Sequence, residues 1–295
     1  MNYELERLPM APYTDFSASR YVSPEHKEQI ANATDIILIR PPFRVTDDQI
    51  AMLAEQLTAL QFEPVILPNF AQAGGEVIDT SRFFPTDRVR TIGPWIIHSL
   101  FSNLAYLTDA VPEKYVNPLR QLEVSVYFRG GDFIYSTQHS VFIYTENHIF
   151  NSYNNQLTLD RKALQLLQSS GWNCVPIQFP DELDFTQALF TGKDQKLHTI
   201  IAQGFASNLI PKEEQYVQMI VHTIPNSEWR KGGCNIADCR NGSVLILPNH
   251  SDAPTTHTII EEFADPKISI LESPPGFYEY TSGPRCAISD IPLVG

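Results

Sequence analysis
The sequence predicts an α/β fold built of repeated ββαβ modules that close into a ring around a central channel. Three observations predict it. Strand-like and helix-like runs return in the order β-β-α-β at intervals of roughly fifty to sixty residues. Asn241-Gly242 stands between two apolar runs, a pairing that favours a tight hairpin. Each module also carries an apolar face that its own elements cannot cover, so neighbours must cover it.

The elements follow in order. Asp35 to Arg40 is a β-rich run stopped by Pro41-Pro42, and Thr46 to Leu60 has helical spacing behind a capping residue. Glu63 to Pro68 is then a short strand. The same order returns with Asp132-Phe-Ile-Tyr and Val141 to Tyr144 as a hairpin, a helix from Thr158 to Ser169, a turn at Gly171 and a strand from Cys174 to Phe179. A third copy starts at Cys234-Asn235-Ile236, turns at Asn241-Gly242 into Ser243 to Leu247, passes a helix around Thr255 to Phe263 and ends with Ile268 to Leu271. Two weaker copies fit between these, over Val89 to Leu122 and Phe185 to Thr223. A doubly wound α/β sheet with irregular strand order accounts for the same elements, and periodicity alone leaves both arrangements open. No stretch reads as a linker, so one domain is expected over residues 1–295.

Composition narrows the function. The chain has 295 residues, 43% hydrophobic and 19% charged, as in an ordinary globular protein. With 34 Asp+Glu against 21 Lys+Arg the formal charge is -13, which disfavours nucleic acid or an anionic membrane as partner and suits a small cation. Met1 to Phe16 lacks the pattern of a secretion signal, and no run approaches the ~18 apolar residues of a membrane span, so a cytoplasmic protein is expected. Cys174, Cys234, Cys239 and Cys286 are too few and too irregular for a disulfide framework. Cys234 and Cys239 lack a second ligand pair for zinc and read as structural.

Candidate chemistry gathers at Cys286. It ends Ser282-Gly283-Pro284-Arg285-Cys286, a glycine-proline turn just before an apolar run, where backbone N–H groups and the Arg285 charge would favour a thiolate nucleophile. Carboxylates stand at element ends upstream: Asp87 in Pro85-Thr-Asp87, Asp132 in Phe128-Arg-Gly-Gly-Asp132, and Glu182 with Asp184 in Glu182-Leu-Asp184.

This ordered set resembles the guanidino-group-modifying superfamily, the penteins: arginine deiminases, dimethylarginine dimethylaminohydrolases and amidinotransferases. The Gly-Pro-Arg-Cys ending is similar to arginine deiminases, and Pro85-Thr-Asp87 with Gly93-Pro-Trp-Ile-Ile97 to amidinotransferases. Gly233-Cys-Asn235 and the run from Asn241 to Ile246 resemble the family's fifth repeat.

The resemblance implies a five-fold pseudosymmetric α/β propeller of ββαβ modules. It implies a hydrolase, deiminase or amidinotransferase acting on a small guanidine or amidine. Cys286 would be the nucleophile, Asp132 would orient the general acid/base, and Asp87 and Asp184 would clamp the planar guanidinium. It implies no metal and no organic cofactor.

One departure carries weight. The family's general acid/base is the histidine of a His-x-Asp motif, and Glu182 holds that place here. An imidazolium promotes a neighbouring thiolate, whereas an ionised carboxylate opposes it; only a protonated Glu182 could serve as the acid. His198 would pair around Phe190 or Leu189 near a hairpin turn, too far along the strand to substitute. The alternative is a guanidinium-binding pseudoenzyme or an inactive variant.

Overall fold
The computed structural model describes residues 35–42, 44–66, 70–73, 76–79, 89–92, 95–99, 123–126, 133–145, 164–165, 167–177, 186–205, 218–278 and 283–292. In chain order the strands are β1 Asp35–Ile39, β2 Phe62–Ile66, β3 Phe70–Ala73, β4 Glu76–Asp79, β5 Val89–Ile92, β6 Trp95–Ser99, β7 Glu123–Val126, β8 Phe133–Ser136 and β9 Val141–Thr145. They continue as β10 Asn173–Ile177, β11 Gln187–Thr191, β12 Leu197–Ala202, β13 Met219–Ile224, β14 Ala237–Cys239, β15 Val244–Leu247, β16 Ser269–Glu272 and β17 Ile288–Pro292. The helices are α1 Asp47–Ala59, α2 Asn226–Trp229, α3 Pro254–Phe263 and α4 Pro284–Ala287, with further helical backbone at 164–165 and 167–169.

Among the described residues the strands form five three-stranded sheets: β17-β1-β2, β5-β6-β7, β8-β9-β10, β11-β12-β13 and β14-β15-β16. A hairpin of β3 and β4, which the sequence reading did not foresee, stands apart. Every three-stranded sheet has one plan: the first strand pairs antiparallel with the second, and the second pairs parallel with the third. A parallel pair needs a crossover, which α1 supplies between β1 and β2 and α3 between β15 and β16. Separate sheets of this kind replace the single doubly wound sheet that the strand pattern also allowed.

Local chemistry sets the element ends. Thr46 caps α1: its hydroxyl accepts from the Gln49 N–H while the Gln49 side chain accepts from the Thr46 N–H, closing a capping box. Ile50, Leu53, Ala54 and Leu57 then fall on one buried face. Arg240, Asn241 and Gly242 take left-handed backbone in the turn between β14 and β15.

The second strands explain why the sheets assemble. In β15, Val244 and Ile246 pack with β1 and α1, while Leu245 and Leu247 pack with β11–β13 residues such as Phe190 and Ile200. In β9, Val141 and Ile143 meet Leu189 and Ile201 of the next sheet, and Phe142 and Tyr144 turn towards Ile92. Side chains alternate sides along a strand. A strand buried on both sides therefore reads as a continuous apolar run rather than an alternating one.

Arg240 reinforces one seam. Its Nε donates to Asp35 Oδ2 at 2.6 Å, its Nη1 to the Leu60 carbonyl at 2.9 Å and its backbone N–H to Asp290 Oδ2 at 2.6 Å. The guanidinium also lies 4.1 Å from the centre of the Phe62 ring. One residue of the β14–β15 turn thus holds β17, β1 and β2.

Ile246 is fully buried between two sheets, so Ile246→Ala should lower unfolding free energy by roughly 2–5 kcal/mol. Met52→Ala, on an exposed part of α1, should change it by under about 0.5 kcal/mol. Urea unfolding of the two variants checks the contrast.

Candidate active site
Cys286 lies on α4, a single helical turn where the sequence reading placed a glycine-proline turn. Pro284 starts the turn, where its missing N–H costs nothing. The chain then passes directly into β17. The sulfur is buried but not sealed among aliphatic groups, because Asn235 Nδ2 donates to Cys286 Sγ at 3.2 Å.

Asn235 is fully buried and does two further jobs with its other atom. Its Oδ1 accepts from the Gly283 N–H at 3.0 Å and from the Cys286 N–H at 3.3 Å. Two backbone donors fix which end of the amide is oxygen, and that leaves the NH2 facing sulfur. A donor aimed at sulfur stabilises negative charge there, as a thiolate nucleophile requires. Glycine at 283 is set by this approach: a Cβ there would lie 2.9 Å from Asn235 Oδ1 and 3.0 Å from Asn235 Cβ.

Arg285 is buried as well, and its Nη2 donates to the Phe133 carbonyl at 3.0 Å. That bond fastens the Cys286 turn to the start of β8. Phe133 is the residue immediately after Asp132.

Asp87, Asp132, Glu182 and Asp184 lie outside the described residues. The strands that follow them are described. Asp87 stands just ahead of β5, Asp132 ahead of β8 and Glu182 with Asp184 ahead of β11, as Cys286 stands ahead of β17. Asn235 stands ahead of β14 in the same way. In the sequence Asn235 is marked only as part of Gly233-Cys-Asn235, with no role; the signal it carries is its place just before a first strand.

The histidines fall elsewhere. His198 pairs in register with Phe190 and Ile220, next to the turn that joins β11 to β12, as the hairpin reading expected. Glu182 and Asp184 precede the opposite end of β11. His198 Nδ1 and His222 Nε2 are 2.8 Å apart, and His198 Nε2 meets Asp194 Oδ1 at 2.9 Å. His222 titrates below the usual histidine range, first because burial disfavours its charge and then because His198 is close, with Glu262 opposing. His139 is lowered for the same first two reasons.

The four cysteines are all free thiols. Burial pushes the Cys174 thiol up to about 11 and raises Cys234 further, which for Cys234 suits the structural role read from sequence. Among the described residues no helix is long and apolar enough to cross a membrane.

Comparison with solved structures finds the same fold in several proteins of low sequence identity. DDAH from Pseudomonas aeruginosa, solved as a cysteine-to-serine mutant with citrulline, is similar with a TM-score of 0.57 at 15% identity, over 88% of this chain and 100% of that one. An amidinotransferase of the saxitoxin pathway from Microseira wollei gives a TM-score of 0.54 at 14% identity, over 91% of this chain and 82% of that one. The product-bound N-terminal domain of ArgZ, an arginine dihydrolase from the ornithine-ammonia cycle in cyanobacteria, gives 0.53 at 10% identity, over 88% and 97%. Likeness at such identities establishes a shared fold. No protein-family model and no curated protein sequence matches the chain.

Two outcomes follow. Asn235→Ala removes the partner of two buried N–H groups, and should lower stability by about 1–3 kcal/mol in denaturant unfolding. Because His139 and His222 are lowered in the folded chain, the unfolded chain binds more protons below about pH 6.5; stability present above that pH is lost as pH falls. The melting temperature should therefore drop between about pH 7 and pH 5, and His222→Gln should flatten the drop.

Proposed function
We propose that this chain is a guanidine- or amidine-modifying enzyme, a hydrolase or deiminase or else an amidinotransferase. On this reading it is one cytoplasmic propeller domain over residues 1–295, with five ββαβ modules around a central channel. The observation that carries it is positional: Asp87, Asp132, Asp184, Asn235 and Cys286 each stand within three residues of the first strand of a different sheet. Once the sheets close into a ring, those strand starts share one end of it. The buried contacts of Cys286 with Asn235, and of Arg285 with Phe133, support that convergence for three of the five sheets.

In this scheme Asp87 and Asp184 grip the flat cation, because two carboxylate oxygens match the forked N–H groups of a guanidinium. The Cys286 thiolate attacks the central carbon; a C–S bond forms, a C–N bond breaks and the departing amine takes a proton. Glu182, protonated and oriented by Asp132, gives that proton. Water in a hydrolase, or an acceptor amine in a transferase, then attacks the thiouronium-type adduct; a C–O or C–N bond forms, the C–S bond breaks with Cys286 leaving as thiolate, and Glu182 takes back the nucleophile's proton. Thiol and carboxylates suffice for these steps. The substrate class is supported by fold neighbours solved with citrulline or named for arginine chemistry.

Glu182 in the place of histidine favours a second reading, a guanidinium-binding pseudoenzyme or inactive variant. Incubation with arginine, agmatine and methylated arginines, assayed for citrulline-type product and released amine, separates the two. For an enzyme, product forms and Cys286→Ser cuts turnover by roughly a thousandfold or more. A pseudoenzyme gives a ligand-dependent rise in melting temperature without product, and Glu182→His raises turnover. Neither product nor thermal shift with any of these cations defeats both readings.

A further inference from the structure
The turns at the other end of the first strands enclose a second polar space. Asn235 precedes β14 and Arg240 follows it; at about 3.4 Å per residue the two ends of that strand are roughly 15 Å apart. Beyond Arg240, where the β8–β9, β11–β12 and β14–β15 turns meet the loop from α3 to β16, lies a cavity of about 500 Å³. Cys286 belongs to the opposite end.

Its base is formed by Thr191, Asp265 and Ile268, all buried. Asp265 is a prepared carboxylate: Oδ1 accepts from the Lys267 N–H at 2.9 Å and Oδ2 from Gln195 Nε2 at 2.6 Å. A carboxylate has about four acceptor positions, so one on each oxygen is left for a guest. Lys267 shares the same turn and lines the same space, and its ammonium makes no hydrogen bond or ion pair among the described residues.

A side wall comes from His139 and Ser243. The Thr191 hydroxyl donates to Gln138 Oε1 and lies 3.1 Å from His139 Nε2. Because that hydroxyl hydrogen is already used, His139 must donate from Nε2, and its Nδ1 is left as an acceptor. Burial and the nearby His198 hold His139 below the usual histidine range, which favours the neutral ring and leaves one anion, one cation and a set of uncharged hydrogen-bonding groups beside Ile268.

We propose that this cavity binds a small zwitterion, a free α-amino acid, with its ammonium on Asp265 and its carboxylate on Lys267. Ile268 floors the aliphatic part of the guest, and the side-chain amides of Gln138 and Gln195 meet a polar tip. A bare cation would face the Lys267 ammonium, a bare anion the Asp265 carboxylate. An uncharged polyol would give neither ion a charged partner of its own beyond the long-range attraction between them.

The full chain is titrated, by calorimetry and thermal shift, with glycine, L-serine and L-glutamine, none of which carries a guanidine. Acetate, ethylamine and glycerol serve as single-ended and uncharged probes. At least one amino acid should bind and raise the melting temperature, and the three probes should not. Lys267→Met, at an exposed position, should weaken binding about tenfold or more, as should Asp265→Asn, while Cys286→Ser leaves it unchanged. Absence of binding by all three amino acids overturns the proposal, as does equal binding of glycerol or full affinity in Lys267→Met. Loss of binding in Cys286→Ser places the guest at the other end and overturns it too.

Discussion
The middle strands β9, β12 and β15 are each buried on both sides by neighbouring sheets and cannot be kept out of water by their own sheet. β15 buries Val244 and Ile246 against one neighbour and Leu245 and Leu247 against the other; β9 and β12 do the same. Burying a large aliphatic side chain is worth roughly 1.5–3 kcal/mol, so a module cut from its neighbours loses that on two faces at once. The exceptions are informative. Thr199 sits fully buried in β12, with its hydroxyl donating to the Ala188 carbonyl and accepting from Gln187 Nε2, so even the polar position is internally satisfied. Neighbour-dependence also locks strand register, since a slip of one residue would exchange the partners of every side chain.

That mutual support is what lets short loops carry buried polar groups. Asn235 spends three of its four side-chain hydrogen-bonding positions in the turn that bears Cys286: oxygen to two backbone donors, one N–H to sulfur. Aspartate could accept the same two N–H bonds but would turn an oxygen towards the thiol, so an amide is the side chain that satisfies all three atoms. Arg285 spans to the Phe133 carbonyl from the same turn. The position of the sulfur is thereby tied to sheets distant in sequence rather than to its own few neighbours.

Much of the framework could be read from the chain because its signals are local. Pro41-Pro42 ends β1, Thr46 with Gln49 begins α1, and the Asn241-Gly242 turn joins β14 to β15 within a residue or two of where the sequence put them. Even the pairing of His198 with Phe190 followed from hairpin arithmetic. The hairpin of β3 and β4 escaped, since Phe70-Ala-Gln-Ala73 has neither a long apolar run nor a strong strand composition. The helical turn at Pro284–Ala287 escaped because a proline-initiated single turn reads as a loop. Asn235 escaped for a different reason: its value lies in partners about fifty residues away, and no local pattern encodes a contact of that span. Asp87, Asp132, Glu182 and Asp184 remain expectations from motif order and from the strands they precede.

The sheet β17-β1-β2 joins the two ends of the described chain, with Asp35 opposite Pro292 and Ile39 opposite Ile288. β1 and the strand that covers its free edge lie far apart in sequence, Ile39 pairing with Ile288, so β17 is made long after β1. Until then β1 presents open backbone groups along one side, the kind of edge that recruits another strand. Completion of this sheet therefore waits on a contact of very long sequence separation, the kind whose loop-closure cost slows folding.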